Sequence, residues 1–144
     1  MGIIVGVSVM AKVLICGDRN WTNWSVIQEQ VCHMAIGSAA LTGEKLTIIQ
    51  GGCRGADRIA KQCCNASRVN CLTFDAEWDR YGPAAGPIRN RLMLDQKPDM
   101  VIAFHDNLRK SKGTRDTVME ARKRGIPVMV INSQGKPVEE ADYV

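Results

Sequence analysis

The sequence has few aromatic and few metal-binding side chains. Aromatic residues make up 5% of the chain, and histidine occurs twice, at His33 and His105, which lie far apart and have no second metal ligand at helical spacing. No two cysteines stand three positions apart, so the Cys-x-x-Cys pairs typical of structural zinc sites are missing. We therefore expect no metal site and no resident cofactor.

Sorting signals are also missing. The first ten residues, MGIIVGVSVM, are apolar, but they have no basic n-region and no convincing cleavage site. The myristoylation pattern fails because Gly6 stands where serine or threonine is required. We interpret residues 1–11 as a leader or a strand extension, with Met10 as an alternative start. The six cysteines are scattered through core-like segments, which favours reduced thiols and a cytoplasmic location. We expect no membrane partner.

What the chain does have is the composition of one globular domain. Its 144 residues are 45% apolar and 24% charged, which is enough to bury a core. We assign residues 12–144 to a single domain. The 19 basic and 15 acidic residues give a formal charge of +4, which permits anionic partners but falls short of the basic excess of a dedicated nucleic-acid-binding protein.

Short apolar runs recur along the chain, and a helical pattern separates each from the next. Continuous apolar runs bounded by turn residues are typical of buried parallel strands. Because the connections are right-handed, helices are expected on both faces of the sheet. The pattern predicts an α/β fold, Rossmann-like with three α/β/α layers and a mostly parallel sheet of about five strands. The predicted strands are 12–16, 46–50, 70–74, 100–104 and 128–131.

Capping residues set the expected limits of the helices. Thr22 or Asn23 caps the first helix, and Gly37 stands where that helix would stop. The second helix contains the periodic residues Ala56, Ile59, Ala60 and Cys63.

The last two helices are less regular. One has Arg89 and Asn90 at its start and ends before Pro98. A cation at a helix start is electrostatically disfavoured unless an anion is present, which indicates a functional position. The other runs over 116–124, and the acidic tail 139–142 is interpreted as a solvated end.

Three loops at the carboxyl ends of the strands are candidate ligand sites, because ligands of such sheets bind there. In loop 16–21 a glycine allows a tight turn and an arginine offers a cation, but taken alone the loop is better explained as an ordinary strand-to-helix turn. Loop 50–58 has three glycines in five positions ahead of a periodic helix, which predicts backbone amides and a helix dipole facing a nucleotide phosphate. Loop 109–115 has four cations in seven residues, as a solvated flexible loop also can. The candidate ligand-binding residues of these loops are Gly17, Asp18, Arg19, Asn20, Gly51, Gly52, Arg54, Gly55, Ala56, Asp57, Ser111, Lys112, Gly113, Thr114 and Arg115.

Alternatives remain open for several of these residues. Asp57 either stabilises the helix dipole, accepts bonds from ribose hydroxyls or orders Arg19. Trp78 either stacks on a base or is a half-buried structural residue. A side chain at Gly55 is expected to obstruct the ligand at modest cost to the fold. The glycine loop is neither G-x-G-x-x-G nor a Walker A sequence, so neither a dinucleotide dehydrogenase nor an NTPase is supported.

The order of the motifs carries a family resemblance. The succession ICGDRNW, GGCRGADRIA, AEWDRYGPAAGPIRN, MLDQKPDMVIAFH and SKGTRDTVMEA, from about Lys12 to Ile131, resembles the YspA-type branch of the SLOG superfamily. The wider superfamily includes LOG phosphoribohydrolases, DprA-type proteins and molybdenum-cofactor carriers. The resemblance implies a homodimeric Rossmann-like domain that binds a nucleotide or nucleotide-derived ligand, such as a molecule of the ADP-ribose or NAD class.

The resemblance to the enzymatic members is incomplete. Those relatives carry an arginine before strand four, matched by Arg89, and a Pro-Gly-Gly-x-Gly-Thr-x-x-Glu loop after it, matched by Gly113 and Thr114. The position of their catalytic glutamate is Thr117, although Asp116 and Glu120 stand close by.

We therefore rank ligand binding first, as sensing, sequestering or carrying. A nucleotide phosphoribohydrolase is the second hypothesis, because N-glycosidic cleavage needs a carboxylate. In it Arg89, Asp116 and Glu120 would be the catalytic residues. Single-stranded DNA binding of the DprA kind ranks last, since the tryptophans do not form a stripe with basic residues.

Overall fold

The computed structural model describes residues 11–144. The interpretation of residues 1–11 as a leader and of Met10 as an alternative start falls, apart from Ala11, outside this part of the chain.

Five strands form one parallel sheet in the order β3-β2-β1-β4-β5. Strand β1 lies in the middle and pairs with β2 on one side and β4 on the other. Each strand matches its predicted range to within one residue. The strands are β1 (Lys12–Gly17), β2 (Thr47–Gln50), β3 (Asn70–Thr73), β4 (Met100–Phe104) and β5 (Val128–Ile131).

Helices cover both faces of the sheet, which confirms the predicted Rossmann-like three-layer fold. The helices are α1 (Trp24–Thr42), α2 (Ala56–Ser67), α3 (Trp78–Tyr81), α4 (Ala85–Asp95) and α5 (Lys112–Lys123). Apolar residues of α1 and α2 pack on one face, in a core that includes Val31, Ala60, Ile15 and Ile48. Apolar residues of α4 and α5 pack on the other face, in a core that includes Met93, Val118, Leu14 and Val101. None of the helices within residues 11–144 combines the length and apolar character needed to cross a membrane.

Helix α1 begins as expected but ends later. The Asn23 side chain accepts a hydrogen bond from the Val26 amide at 3.4 Å, so Asn23 is the cap. The prediction that Gly37 stops the helix is wrong, because the chain continues through it to Gly43. Gly43 has φ of 69°, the left-handed conformation that ends helices. A glycine inside a helix costs only about 0.5–1 kcal/mol relative to alanine, which the good helix formers after Gly37 overcome.

Two other helix starts and the acidic tail also differ from expectation. Helix α4 begins at Ala85, so Arg89 lies in its second turn and not at its start. Helix α5 begins four residues before 116, with the Ser111 hydroxyl as its cap. The acidic tail 139–142 is exposed, as expected, but it is also structured: a 3-10 turn covers Glu140–Asp142, Glu140 pairs with Arg122, and the adjoining Tyr143 is buried. Side-chain hydrogen bonds and packing beyond the local pattern decide these limits.

The strand order determines where a site can form. The chain leaves β1 toward β2 on one side and returns to β4 on the other, so the loops after β1 and β4 diverge at their carboxyl ends. In open α/β sheets this switch point leaves a crevice between the loops. Gly17, at the end of β1, has room only for hydrogen, because a Cβ there would collide with the backbone oxygen of Phe104.

Candidate functional site

A cavity of about 690 Å³ opens at the switch point. Its walls come from the loop after β1, the loop before α2, the start of α4 and the start of α5. A second cavity of about 500 Å³ lies on the β2 side and is lined by Gly51, Gly52, Arg58 and Asp75 among others. Both cavities are lined by Arg19, Cys53, Arg54, Trp78 and Arg89.

Most of the residues singled out in the sequence meet at these cavities. The larger one is lined by Gly17, Asp18, Arg19, Asn20, Arg54, Asp57, Trp78, Arg89, Asn90, Ser111, Lys112, Gly113, Thr114 and Asp116. Gly51 and Gly52 line the smaller one. Four candidates line neither of the two: Gly55, Ala56, Arg115 and Glu120.

The amides of the glycine loop are largely used within the protein. The Gly52 amide donates to Gln50 Oε1 at 2.6 Å, and the Cys53 amide donates to Asp57 Oδ2 at 3.2 Å. The Ala56 amide donates to the backbone oxygen of Asp18 at 3.0 Å. These three amides therefore do not face a ligand, which leaves fewer donors for an anion than the sequence predicts.

Gly55 serves chain packing. Its φ is 77°, and a Cβ on it would collide with the backbone oxygen of Asp18 and lie 2.5 Å from the backbone carbonyl of Arg19. The expectation that a side chain at Gly55 costs the fold little is therefore wrong, because backbone cannot move aside as a side chain can. This glycine holds the loop after β1 against the start of α2.

A buried arginine forms part of the cavity wall. Arg89 is 7% exposed, and its Nη1 donates to the backbone oxygen of Gly51, while its Nε donates to Asn90 Oδ1 at 2.9 Å. A Cβ on Gly51 would lie 2.5 Å from Nη1, so the chain needs glycine there to admit the guanidinium. Because these donors are engaged by the protein, the Arg89 side chain is fixed in the cavity wall and is not free to fold over a ligand.

Asp57 is the most perturbed carboxyl group of the site. Burial raises its pKa to about 6, against the opposing effects of the Cys53 amide and the Arg89 guanidinium. Its exposure is 6%, and it faces the larger cavity from the first turn of α2. At neutral pH it carries a charge that the fold only partly compensates.

The start of α5 is tied to β1 and α4 by side-chain hydrogen bonds. Thr114 Oγ1 donates to the backbone oxygen of Gly17 at 3.0 Å, and Asn90 Nδ2 donates to Asp116 Oδ2 at 3.0 Å. These bonds hold the start of α5 against the end of β1 and against α4. Lys112 lines the cavity from the start of α5, whereas Arg115 is exposed elsewhere.

The two carboxylates considered for hydrolysis have different surroundings. Glu120 lies outside both cavities, and its hydrogen bond with Arg124 lowers its pKa, with Arg91 adding to the effect. Asp116 lines the larger cavity, but its Oδ2 lies 3.4 Å from Nη1 of Arg91 and forms an ion pair with it. Thr117 is buried, and its hydroxyl donates to the Gly113 oxygen at 3.3 Å. Glu120 is thus held ionised and away from any ligand, which is unsuitable for a general acid.

Several lining residues were not anticipated. His105 follows β4 directly, and its Nδ1 accepts the Asn107 amide at 2.9 Å, which leaves the ring proton of the neutral form on Nε2. The sequence signal that could have identified His105 as a lining residue is its position directly after a predicted strand, at the carboxyl end of the sheet. The remaining ones are Cys16, Cys53, Pro83, Gly86, Pro87, Met93, Lys110 and Thr117.

The larger cavity is positively charged and has one aromatic wall. Its charged lining consists of Arg19, Arg54, Arg89, Lys110 and Lys112 against Asp18, Asp57 and Asp116. Trp78 is 49% exposed, and its ring lies against Gly86, where a Cβ would be 3.3 Å away. Such a lining suits an anion attached to a flat ring. Within residues 11–144 no group of three or more His, Cys, Asp or Glu side chains has a metal-binding arrangement, and the expectation of no cofactor stays a prediction.

Comparisons with known proteins give consistent results. The model of the YspA, cpYpsA-related SLOG family matches residues 11–81. "Gene 61 protein" of Mycobacterium phage D29 is 35% identical over a match of 137 residues, and the match covers 89% of this chain and 100% of that protein. The X-ray structure of DNA processing protein A (DprA) from Streptococcus pneumoniae superimposes with a TM-score of 0.66 at 16% identity. That match covers 85% of this chain and 50% of the DprA chain, so it shows a shared fold over half of the larger protein.

Proposed function

The chain belongs to the YspA, cpYpsA-related SLOG family, and from this premise we propose that it binds a nucleotide or a nucleotide-derived ligand in the cavity at the switch point. The observation that carries the proposal is the meeting of the loop after β1, the loop before α2 and the start of α5 around one positively charged cavity. The anion is held by Arg19, Arg54 and Lys112, the last at the start of α5, where the helix dipole adds positive potential. The ring lies on Trp78.

The two cavities together favour a ligand with two parts. A mononucleotide fits within the 690 Å³ of the larger cavity, since ligand pockets measure about 300–1,000 Å³. The smaller cavity extends the site past Arg54 to Arg58, and the two share Trp78 and Arg89. A second phosphate or nucleoside would occupy that extension. This supports the ADP-ribose or NAD class as the specific ligand.

Calorimetric titration with AMP, ADP-ribose and NAD tests the proposal. Replacing Arg19 or Arg54 by Gln removes a charge-assisted hydrogen bond worth about 1.5–3 kcal/mol, which is a loss of about tenfold or more in affinity. Arg115→Gln is the matched control, because Arg115 is an exposed arginine that lines neither cavity. Absence of binding by all three compounds, or equal losses in the three variants, would refute the proposed site.

Hydrolysis is a weaker candidate function. Asp116 is the carboxylate that favours it, since it lines the cavity on the helix where the enzymatic relatives carry their acid. Glu120 does not reach the ligand, and Thr117 has no carboxylate. Release of free base from nucleoside monophosphates by the protein, and its loss in Asp116→Asn, would establish this activity in place of simple binding.

Two further parts of the proposal concern assembly and location. The family resemblance supports a homodimer. The six free thiols support a cytoplasmic location. Single-stranded DNA is the remaining alternative ligand, supported by the fold shared with DNA processing protein A, and a steep salt dependence of oligonucleotide binding would favour it over a small molecule.

A further inference from the structure

The two edges of the sheet are covered differently. On the outer side of β5, Ile131 forms an antiparallel bridge with Pro137, and the Val138 amide donates to the Val130 backbone oxygen at 2.8 Å. On the outer side of β3, none of the segments within residues 11–144 pairs with the strand. An uncovered edge presents unpaired backbone groups to which another strand can bind.

Strand β3 directs hydrogen-bonding groups to its outer side. The amides of Asn70 and Phe74 donate to backbone oxygens of segment 46–50 at 3.2 Å and 2.8 Å. Alternate residues of a strand direct their backbone groups to opposite sides, so the amides and carbonyls of Cys71 and Thr73 point away from β2. None of the four residues of β3 is charged or a proline, and those are the residues that usually protect an exposed edge.

Leu72 lies at the centre of this outer side. It is 46% exposed, and because it is aligned with Ile49, it faces the same side of the sheet as α4 and α5. If two copies of β3 pair in antiparallel fashion with Leu72 opposite itself, Cys71 of each copy lies opposite Thr73 of the other. The backbone groups of these two residues then form the hydrogen-bonded pairs, and the two leucines form the close pair in which side chains approach most. The register that satisfies the backbone therefore also covers the exposed leucine.

Two exposed charges flank β3, one at each end. Neither Arg68 nor Asp75 has an ion-pair partner within residues 11–144. With Leu72 opposite itself, residue 69 lies opposite residue 75 of the other copy, which brings Arg68 next to Asp75. The two-fold axis repeats this contact at the other end of the strand pair. Opposite charges at neighbouring positions of paired strands stabilise the pairing, so the charge pattern fits a second copy of this chain.

We propose that two copies of the chain associate through their β3 strands, which pair in antiparallel fashion about a two-fold axis at Leu72. The contact joins two five-stranded sheets into one, and it is isologous, as in most dimers of identical chains. This surface is the interface of the homodimer proposed above and rests on that assembly. Asp75 lines the smaller cavity, so Arg68 of the second copy lies beside that cavity and adds a positive charge to the ligand site.

The test is sedimentation velocity of the full chain over a range of micromolar concentrations, at which we expect the wild type to dimerise. Arg68→Glu and Asp75→Arg each place like charges side by side, so each should raise the dissociation constant about tenfold or more. An equimolar mixture of the two variants should regain wild-type association, because in the mixed dimer residue 68 of each copy meets the opposite charge. Lys97→Glu is the matched control and should dimerise normally, since Lys97 is exposed and has the same φ of 56° as Arg68 but precedes β4.

A second measurement tests the register by cross-linking. In Leu72→Cys, mild oxidation should link two copies through residue 72, because the Cα atoms of such a close pair lie about 4.5 Å apart, within the range of a disulfide. Ile36→Cys, an exposed position in α1, is the control and should not link.

The outcomes separate this interface from the homodimer itself. A wild-type dimer that Arg68→Glu and Asp75→Arg leave intact, a mixture of these variants that fails to associate, or the absence of a link through residue 72 would each overturn the β3 interface. A wild-type chain that stays monomeric at every concentration would overturn the homodimer as well.

Discussion

The buried carboxyl group of Asp57 provides a sharp test of the site's electrostatics through the substitution Asp57→Asn. Burial raises the pKa of Asp57 from 3.8 to about 6. The charged form is therefore less stable in the folded protein than in the unfolded chain. The stability that the neutral carboxyl provides is complete below about pH 3.8, declines as pH rises through the window from 3.8 to about 6, and is absent above it.

The expected change in the free energy of unfolding follows from the size of the pKa shift of Asp57. Each pKa unit corresponds to about 1.4 kcal/mol, so the shift costs on the order of 3 kcal/mol at pH 7. Asparagine resembles the protonated acid and can still accept the Cys53 amide. We therefore expect the variant to match the wild type near pH 4 and to exceed its free energy of unfolding by about 3 kcal/mol at pH 7.

The assay is urea unfolding of both proteins at several pH values between 4 and 7. The difference between the two curves isolates Asp57, because all other carboxylates are common to both. Asp79→Asn is the control, since Asp79 is exposed in α3 and surface substitutions change stability by about 0.5 kcal/mol or less. If the free energies of unfolding of the wild type and the variant differ by the same amount at every pH in this range, the reasoning is refuted.

Two further predictions concern the packing that shapes the site. Gly55→Ala should lower the free energy of unfolding by about 1–3 kcal/mol, because its φ is 77° and the new Cβ meets the backbone of Asp18. Gly113→Ala in α5, where a Cβ meets nothing within 4 Å, should be neutral or stabilising; equal effects of the two in urea unfolding would contradict this account. Thr114→Val should cost about 1–3 kcal/mol, because it leaves the Gly17 carbonyl without its hydroxyl donor. A variant with unchanged thermal stability would show that this bond does not hold α5 to β1.

The strands were predictable because their signal is local. A parallel strand covered on both faces is a continuous apolar run, as in Val13–Ile15 and Val101–Phe104, whatever its neighbours in space. Helix limits were less predictable. Gly37 and Gly43 are the same residue type six positions apart, and the conformation of the second, which ends α1, depends on the turn into β2.

The candidate site likewise has features that the sequence predicts and features that it does not. Loop positions at the carboxyl ends of strands follow from the order of the elements, which is why the candidate ligand-binding residues Arg19, Arg54 and Lys112 all line the larger cavity. Whether an amide or a side chain faces the cavity depends on contacts between distant segments. The Ala56 amide donates to the backbone oxygen of Asp18 in another loop, and no local pattern indicates this.

The amino-acid sequence by itself determined the order of the strands and of the four longer helices, the layered fold and the three loops that line the cavity, because apolar periodicity and glycine content act over a few neighbouring residues. The short helix α3 was not predicted. Only the tertiary structure decided that Arg89 is a buried support, that Glu120 is turned away and paired, and that His105 faces the cavity. These outcomes depend on hydrogen bonds and close packing between segments far apart in the chain. Such contacts form only once the sheet has brought those segments together.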